Sequence, residues 1–173
     1  MGQVPHETGG SGKGELKYKP SAIIESAHHV SENLKSQGKK LPCTTFVQEV
    51  LQKLEIKLSA EEIASLQIRG IGEASVADEL AAGNPAMRGG PGMLIDKGIA
   101  EAVRPADAKP GDIIQYWYRD PKKAGGIGGH TGVVQDLLPD GKISILDSNI
   151  KRGPSQLELD LKTKLHVTVA RLK

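Results

Sequence analysis

The chain has 173 residues, enough for one domain with its own core, and a single cysteine, which excludes an internal disulfide. A net charge of +2 is too small to argue for nucleic acid, and aromatic residues at 3% leave little to stack against bases. No apolar run approaches the ~20 residues of a membrane span, and the opening Met1-Gly2-Gln3-Val4-Pro5-His6 has no apolar core of the secretion-signal kind. The protein is therefore expected to be made in the cytoplasm. If it acts outside the cytoplasm, it needs a route without a classical leader.

Residues 1–19 are rich in Gly, Lys and small polar types and read as a flexible tail or linker ahead of one domain over 20–173. After Pro20, Ile23, Ile24, Ala27, Val30 and Leu34 form one helical stripe, with Gly38 as its stop. His28 and His29 lie in this helix. Being adjacent, they point apart and cannot chelate as an i, i+4 pair would. A short connection ending in Leu41-Pro42 leads to Cys43, and Phe46, Val47, Val50, Leu51 and Leu54 then fall at helical spacing. Ser59 with Glu62 has the form of a capping box opening a helix through Leu66, and Ser75–Leu80 reads as another. From Gly83 to Gly98 the chain is Gly- and Pro-rich, reads as too polar and broken for core, and is expected to border a binding cleft, with a plain surface connection as the alternative.

The pattern changes after Lys109-Pro110-Gly111-Asp112, where Pro-Gly marks a turn. Strands are read over Ile113–Tyr118, His130–Leu137, Lys142–Asp147 and Leu165–Leu172, with a loop over Arg119–Gly129 and a hairpin turn at Pro139-Asp140-Gly141. Helices first and an antiparallel meander second is an α+β arrangement.

Cys43 stands at or just before the first turn of its helix. Unpaired N–H groups and the helix dipole favour negative charge there, and the thiolate is the nucleophilic form of the side chain. Alternatively it is a small buried hydrophobe. An activated Cys needs a base and the base an orienting group. His130 opens a strand after a run of glycines, and pairing of the hairpin around Pro139-Asp140-Gly141 brings Asp147 or Asn149 near it. The glycines at 125–129 are not a phosphate loop, because no Gly-Lys-Ser/Thr follows.

Pro42-Cys43-Thr44-Thr45-Phe46-Val47, Pro110-Gly111-Asp112-Ile113-Ile114, Gly129-His130-Thr131-Gly132-Val133-Val134 and Ile145-Leu146-Asp147-Ser148-Asn149 follow one another in an order that resembles the CHAP and NlpC/P60 group of papain-like cysteine hydrolases. The resemblance spans about residues 20–172. It implies a papain-like fold, N-terminal helices packed on an antiparallel sheet, with Cys43 as nucleophile and His130 as base and then acid. Asp147-Ser148-Asn149 matches the Glu-x-Asn ending of CHAP members with a shorter acid. Orientation of His130 thus falls to Asp147 first and Asn149 second. Helix-start N–H groups at Cys43 and Thr44 would hold the oxyanion, with Gln115 or Tyr116 as a further donor or substrate contact. The family substrate is the peptide part of bacterial peptidoglycan. No metal or other cofactor is implied, and no calcium-loop carboxylate cluster is present in the sequence. A phage lysis enzyme or an injected antibacterial toxin, the latter with a cognate immunity protein as partner, fits the lack of a leader. A protease, deamidase or acyltransferase acting on a protein keeps the fold and changes the acceptor; a non-catalytic binding module leaves Cys43 as packing.

Overall fold

The computed structural model describes residues 16–173, so most of the expected tail lies outside the described residues. Within them the protein is α+β, with five α-helices against one antiparallel six-stranded sheet. The helices are α1 (Pro20–Ser36), α2 (Cys43–Lys53), α3 (Ala60–Leu66), α4 (Val76–Ala81) and α5 (Gly89–Asp96). The strands are β1 (Ala100–Val103), β2 (Ile113–Arg119), β3 (Ile127–Leu137), β4 (Ile143–Asn149), β5 (Gly153–Leu159) and β6 (His166–Leu172), in the order β1-β6-β2-β3-β4-β5.

The helical stripes are buried as their spacing requires. Ile23, Ala27, Val30 and Leu34 of α1 and Phe46, Val47, Val50 and Leu51 of α2 meet Ile113, Val133, Leu146 and Ala170 of the sheet in one core. The four α2 side chains are wholly buried, and at about 1.5–3 kcal/mol each their burial fixes the helix against the sheet. Ile114, Val134, Ile145 and Val169 fill a second core on the other face. Burial on both faces puts neighbours in one strand, such as Ile113 and Ile114, into opposite cores. Ser59 and Glu62 make both bonds of the capping box at α3. His28 is half-buried and meets Gln135 of β3 at 3.3 Å, which ties α1 to the sheet.

The Pro-Gly-Asp turn has a structural role on each residue after the proline. Gly111 has φ +93, and a Cβ on it would stand 2.8 Å from Pro20 Cα, so glycine lets the start of α1 lie against the turn. The buried Asp112 carboxylate accepts two bonds from the Arg171 guanidinium, at 2.9 and 2.8 Å, and locks β6 beside β2.

Three elements differ from the sequence reading. Residues 83–98 are not merely an irregular border: Gly89–Asp96 forms α5, and Gly89 through Leu94 are buried. The glycines permit close packing there. Gly90 lies against Leu66, and a Cβ on Gly89 would stand 2.9 Å from Gln115 Oε1. Pro91 falls in the first turn, where its missing N–H costs no helical bond. Strands β1 and β5 were not expected. They are the two edges of the sheet, and edge strands carry polar residues that blur an apolar signature.

Candidate active site

Cys43 is the first residue of α2. Pro42 before it is extended, at φ −56 and ψ 152, and caps the helix without a side-chain bond. The first intrahelical bond comes from Phe46 N–H to the Pro42 carbonyl, so N–H groups at the helix start remain outside the ladder. The half-buried thiol faces the His130 side chain and the backbone N–H groups of Thr131 and Thr44, all of which favour its ionised form.

His130 reaches the thiol from β3. Its cross-strand partner on β2 is Tyr116, whose ring meets the imidazole edge-on, 5.8 Å between centroids. Glycines on either side make room. A Cβ on Gly129 would stand 2.5 Å from the Trp117 ring, and one on Gly132 would stand 2.7 Å from the Leu146 carbonyl oxygen and 3.5 Å from Asp147 Cβ. His130 Nε2 is hydrogen-bonded to Asp147 Oδ2, which leaves Nδ1 as the ring nitrogen for the sulfur.

Asp147, on β4, is wholly buried. Its Oδ1 accepts from Ser155 Oγ at 2.6 Å, and the Arg152 guanidinium lies 3.6 Å from Oδ2. Ser155 is the register partner of Asp147 on β5. Both Ser155 and Arg152 were missed in the sequence because β5 itself was missed. Asn149, the second orienting candidate, lies elsewhere in function: its side-chain oxygen accepts from the N–H groups of Lys151 and Arg152 and shapes the β4–β5 turn.

The charges follow from this geometry. Burial pushes the Cys43 thiol up, but the hydrogen bond and charge of His130, with the two N–H groups, more than offset it and the thiol ends below its ordinary value. Burial likewise pushes His130 down, and its bonds to Asp147 and Cys43 reverse this, raising it to about 9. Both shifts favour the thiolate and imidazolium form of the pair over the neutral one. Burial, then the Asp147 charge, pushes the Tyr116 hydroxyl well above its ordinary value, so it stays a neutral donor.

Cys43 and His130 open into a cleft of about 230 Å³ that Thr44, Gln115 and Trp117 also line. Gln115 is nearly buried, and its Nε2 lies 3.3 Å from the Tyr116 carbonyl. Trp117 is held by a 2.8 Å bond from its indole N–H to the Met87 carbonyl, so the Gly- and Pro-rich segment backs the cleft from behind. Among the described residues no three His, Cys, Asp or Glu side chains gather as a metal-binding group, and no helix is long and apolar enough to cross a membrane. Compared with known proteins, the chain matches no family model, no curated protein and no solved structure at a significant level.

Proposed function

We propose that the protein is a papain-like cysteine hydrolase of CHAP or NlpC/P60 type that cleaves amide bonds in the peptide part of bacterial peptidoglycan. The observation that carries the reading is the chain of contacts Cys43–His130–Asp147 at the mouth of a cleft, with the sulfur at a helix start. A cysteine used only for packing has no need of an imidazole and a buried carboxylate aligned behind it, which counts against a non-catalytic module.

In the proposed mechanism the Cys43 thiolate adds to the amide carbonyl carbon, and the electron pair moves to oxygen. We assign that oxyanion to the N–H groups of Cys43 and Thr44, which lie outside the helical hydrogen-bond ladder at the start of α2. Collapse breaks the C–N bond, and the His130 imidazolium gives its proton to the leaving amine. The imidazole, now neutral, takes a proton from water as the oxygen attacks the thioester. The acid leaves, and thiolate and imidazolium are restored. Asp147 keeps the imidazole oriented throughout.

A role as a lysis enzyme, or as an injected toxin with an immunity protein, accompanies this reading. The apolar lining of the cleft by Ile68, Ile71 and Val76 supports a second one, in which the same chemistry acts on a protein. Isolated cell walls treated with the protein and with Cys43→Ala decide between them. Muropeptide masses showing a newly cut stem or cross-bridge, absent with the variant, support the first; intact walls despite a rapidly alkylated Cys43 reject it in favour of the second.

A further inference from the structure

Part of the cleft wall belongs to a third apolar cluster, separate from the two that stabilise the sheet. Val76 and Trp117 are buried in it, and Ile68, Ile71 and Ile127 are only partly covered. All five line the same cleft as Cys43. Its two sides are drawn together at the rim. Gly125, with φ +78, brings the β2–β3 loop onto the Glu73 carbonyl, which a Cβ there would approach to 2.7 Å, and Lys123 Nζ pairs with Glu73 Oε1 at 3.3 Å.

Ile68 is the unusual member. It follows α3 in a closing motif in which Ile68 N–H bonds to the Ser65 carbonyl at 3.1 Å and Arg69 N–H to the Ala64 carbonyl at 3.0 Å. The residue in that place takes a left-handed backbone and is most often glycine. Ile68 adopts it, at φ +51, although a β-branched side chain is strained there. Glycine would terminate the helix with less strain but would leave the cleft without this part of its wall.

We propose that this apolar part of the cleft, walled by Ile68, is a subsite for an aliphatic side chain on a residue flanking the bond that Cys43 attacks. The occupant follows from the shared space: Cys43 and the five apolar residues line one cleft, with Gln67, Glu73, Gln115 and Lys123 among its polar lining, and at about 230 Å³ the whole cleft is smaller than the ~300–1,000 Å³ of typical ligand pockets, so it suits one side chain and its backbone. The inference rests on Cys43 being the attacking group and adds what the site selects.

Affinity labelling tests it without requiring turnover. The probes are N-chloroacetyl-leucine amide against N-chloroacetyl-asparagine amide, and acetyl-leucine against acetyl-asparagine chloromethyl ketone. These are uncharged pairs of similar shape that present the side chain on either side of the reacting carbon. In each, sulfur forms a bond to the methylene carbon and chloride leaves, so the adduct is read as added mass on Cys43. The leucine probe should label the wild type about tenfold faster than its asparagine twin in at least one series. Ile68→Gly and Ile68→Asn both suit a left-handed backbone and should keep the fold by circular dichroism. In both, the ratio should fall towards one while labelling by iodoacetamide, too small to need the subsite, stays unchanged. Equal rates in both series, or a leucine preference that survives both variants, overturns the subsite. Slow iodoacetamide labelling of the wild type would instead sink the hydrolase reading.

Discussion

The Ser155 hydroxyl lies 2.6 Å from Asp147 Oδ1, on the opposite side of the carboxylate from His130. A wholly buried carboxylate thus has a separate donor for each oxygen, and β5 takes part in orienting the imidazole. Removing the hydroxyl leaves a buried charged oxygen short of a partner. Ser155→Ala should cost roughly 1.5–3 kcal/mol, a fall in melting temperature of about 4–10 °C. Ser155→Thr should recover most of it. A melting temperature unchanged in Ser155→Ala would show that this bond contributes nothing.

Asp147 and Asn149 are separated by their partners. Asp147→Asn keeps the shape but cannot hold the imidazolium, and a loss of about 10²–10⁴ in kcat on a peptide substrate is expected. Asn149→Ala loses two turn bonds, worth about 1–2 kcal/mol of stability, and its activity per folded molecule should match the wild type. Steady-state kinetics beside urea denaturation of both variants checks the contrast.

His130→Ala leaves Cys43 with its burial and without the charge that offset it, so the thiol should move up and not down. Iodoacetamide labelling near pH 6.5 should be rapid in the wild type and at least about tenfold slower in the variant. Equal rates would mean that the imidazole does not ionise the thiol.

Linkage gives the pair an unusual pH signature. His130 is raised from 6.5 to about 9, so its contribution to stability is full below pH 6.5 and is lost as pH rises through about 9. Cys43 is lowered from 9.0, so its contribution is full above pH 9.0 and is lost as pH falls through the folded value. From about pH 9 down to the folded Cys43 value or to 6.5, whichever is reached first, the two changes oppose each other, because there the folded pair and the unfolded pair each hold one proton. Relative to a Cys43→Ala/His130→Ala double variant, the wild type should gain a constant stability across that window. Denaturant melts at several pH values measure the difference, and a steep slope inside the window would contradict a thiolate–imidazolium pair.

Gly132→Ala tests the seat of the triad rather than its chemistry. The new Cβ would meet the Leu146 carbonyl oxygen at 2.7 Å, a backbone atom of a central strand that cannot turn aside. Destabilisation of about 1–3 kcal/mol is expected, with slower Cys43 labelling as β3 and β4 part. Differential scanning calorimetry and the iodoacetamide rate read the two effects.

Much of this arrangement was legible because strong local signals agree with the fold. The stripe from Phe46 to Leu51 could pack on only one side, and the β-branched runs holding Ile113-Ile114, Val133-Val134 and Ile145-Leu146 marked strands, whose two buried faces the structure adds. What stayed hidden lacked such a signal. Helix α5 begins Gly89-Gly90-Pro91-Gly92, a sequence with poor helical preference, and forms because those small residues fit against Leu66 and Gln115. Strand β5, Gly153–Leu159, opens with Gly-Pro and carries Ser155, Gln156 and Glu158 on an edge. Ser155 and Arg152 disappeared with it. Ile68 gave no sign of its left-handed backbone, since nothing in an isoleucine announces one.

The place of β6 between β1 and β2 has a consequence for how the chain reaches this state. Strands β2 through β5 follow one another as neighbours and can assemble from local encounters, whereas β6 must return across the whole meander to cover the free side of β2. Until residues 166–172 arrive, that side is an open template for strands of other nascent copies, and the Arg171 side chain that clasps Asp112 is missing. Fragments cut short of His166 should therefore aggregate during synthesis rather than accumulate as a looser version of the same molecule.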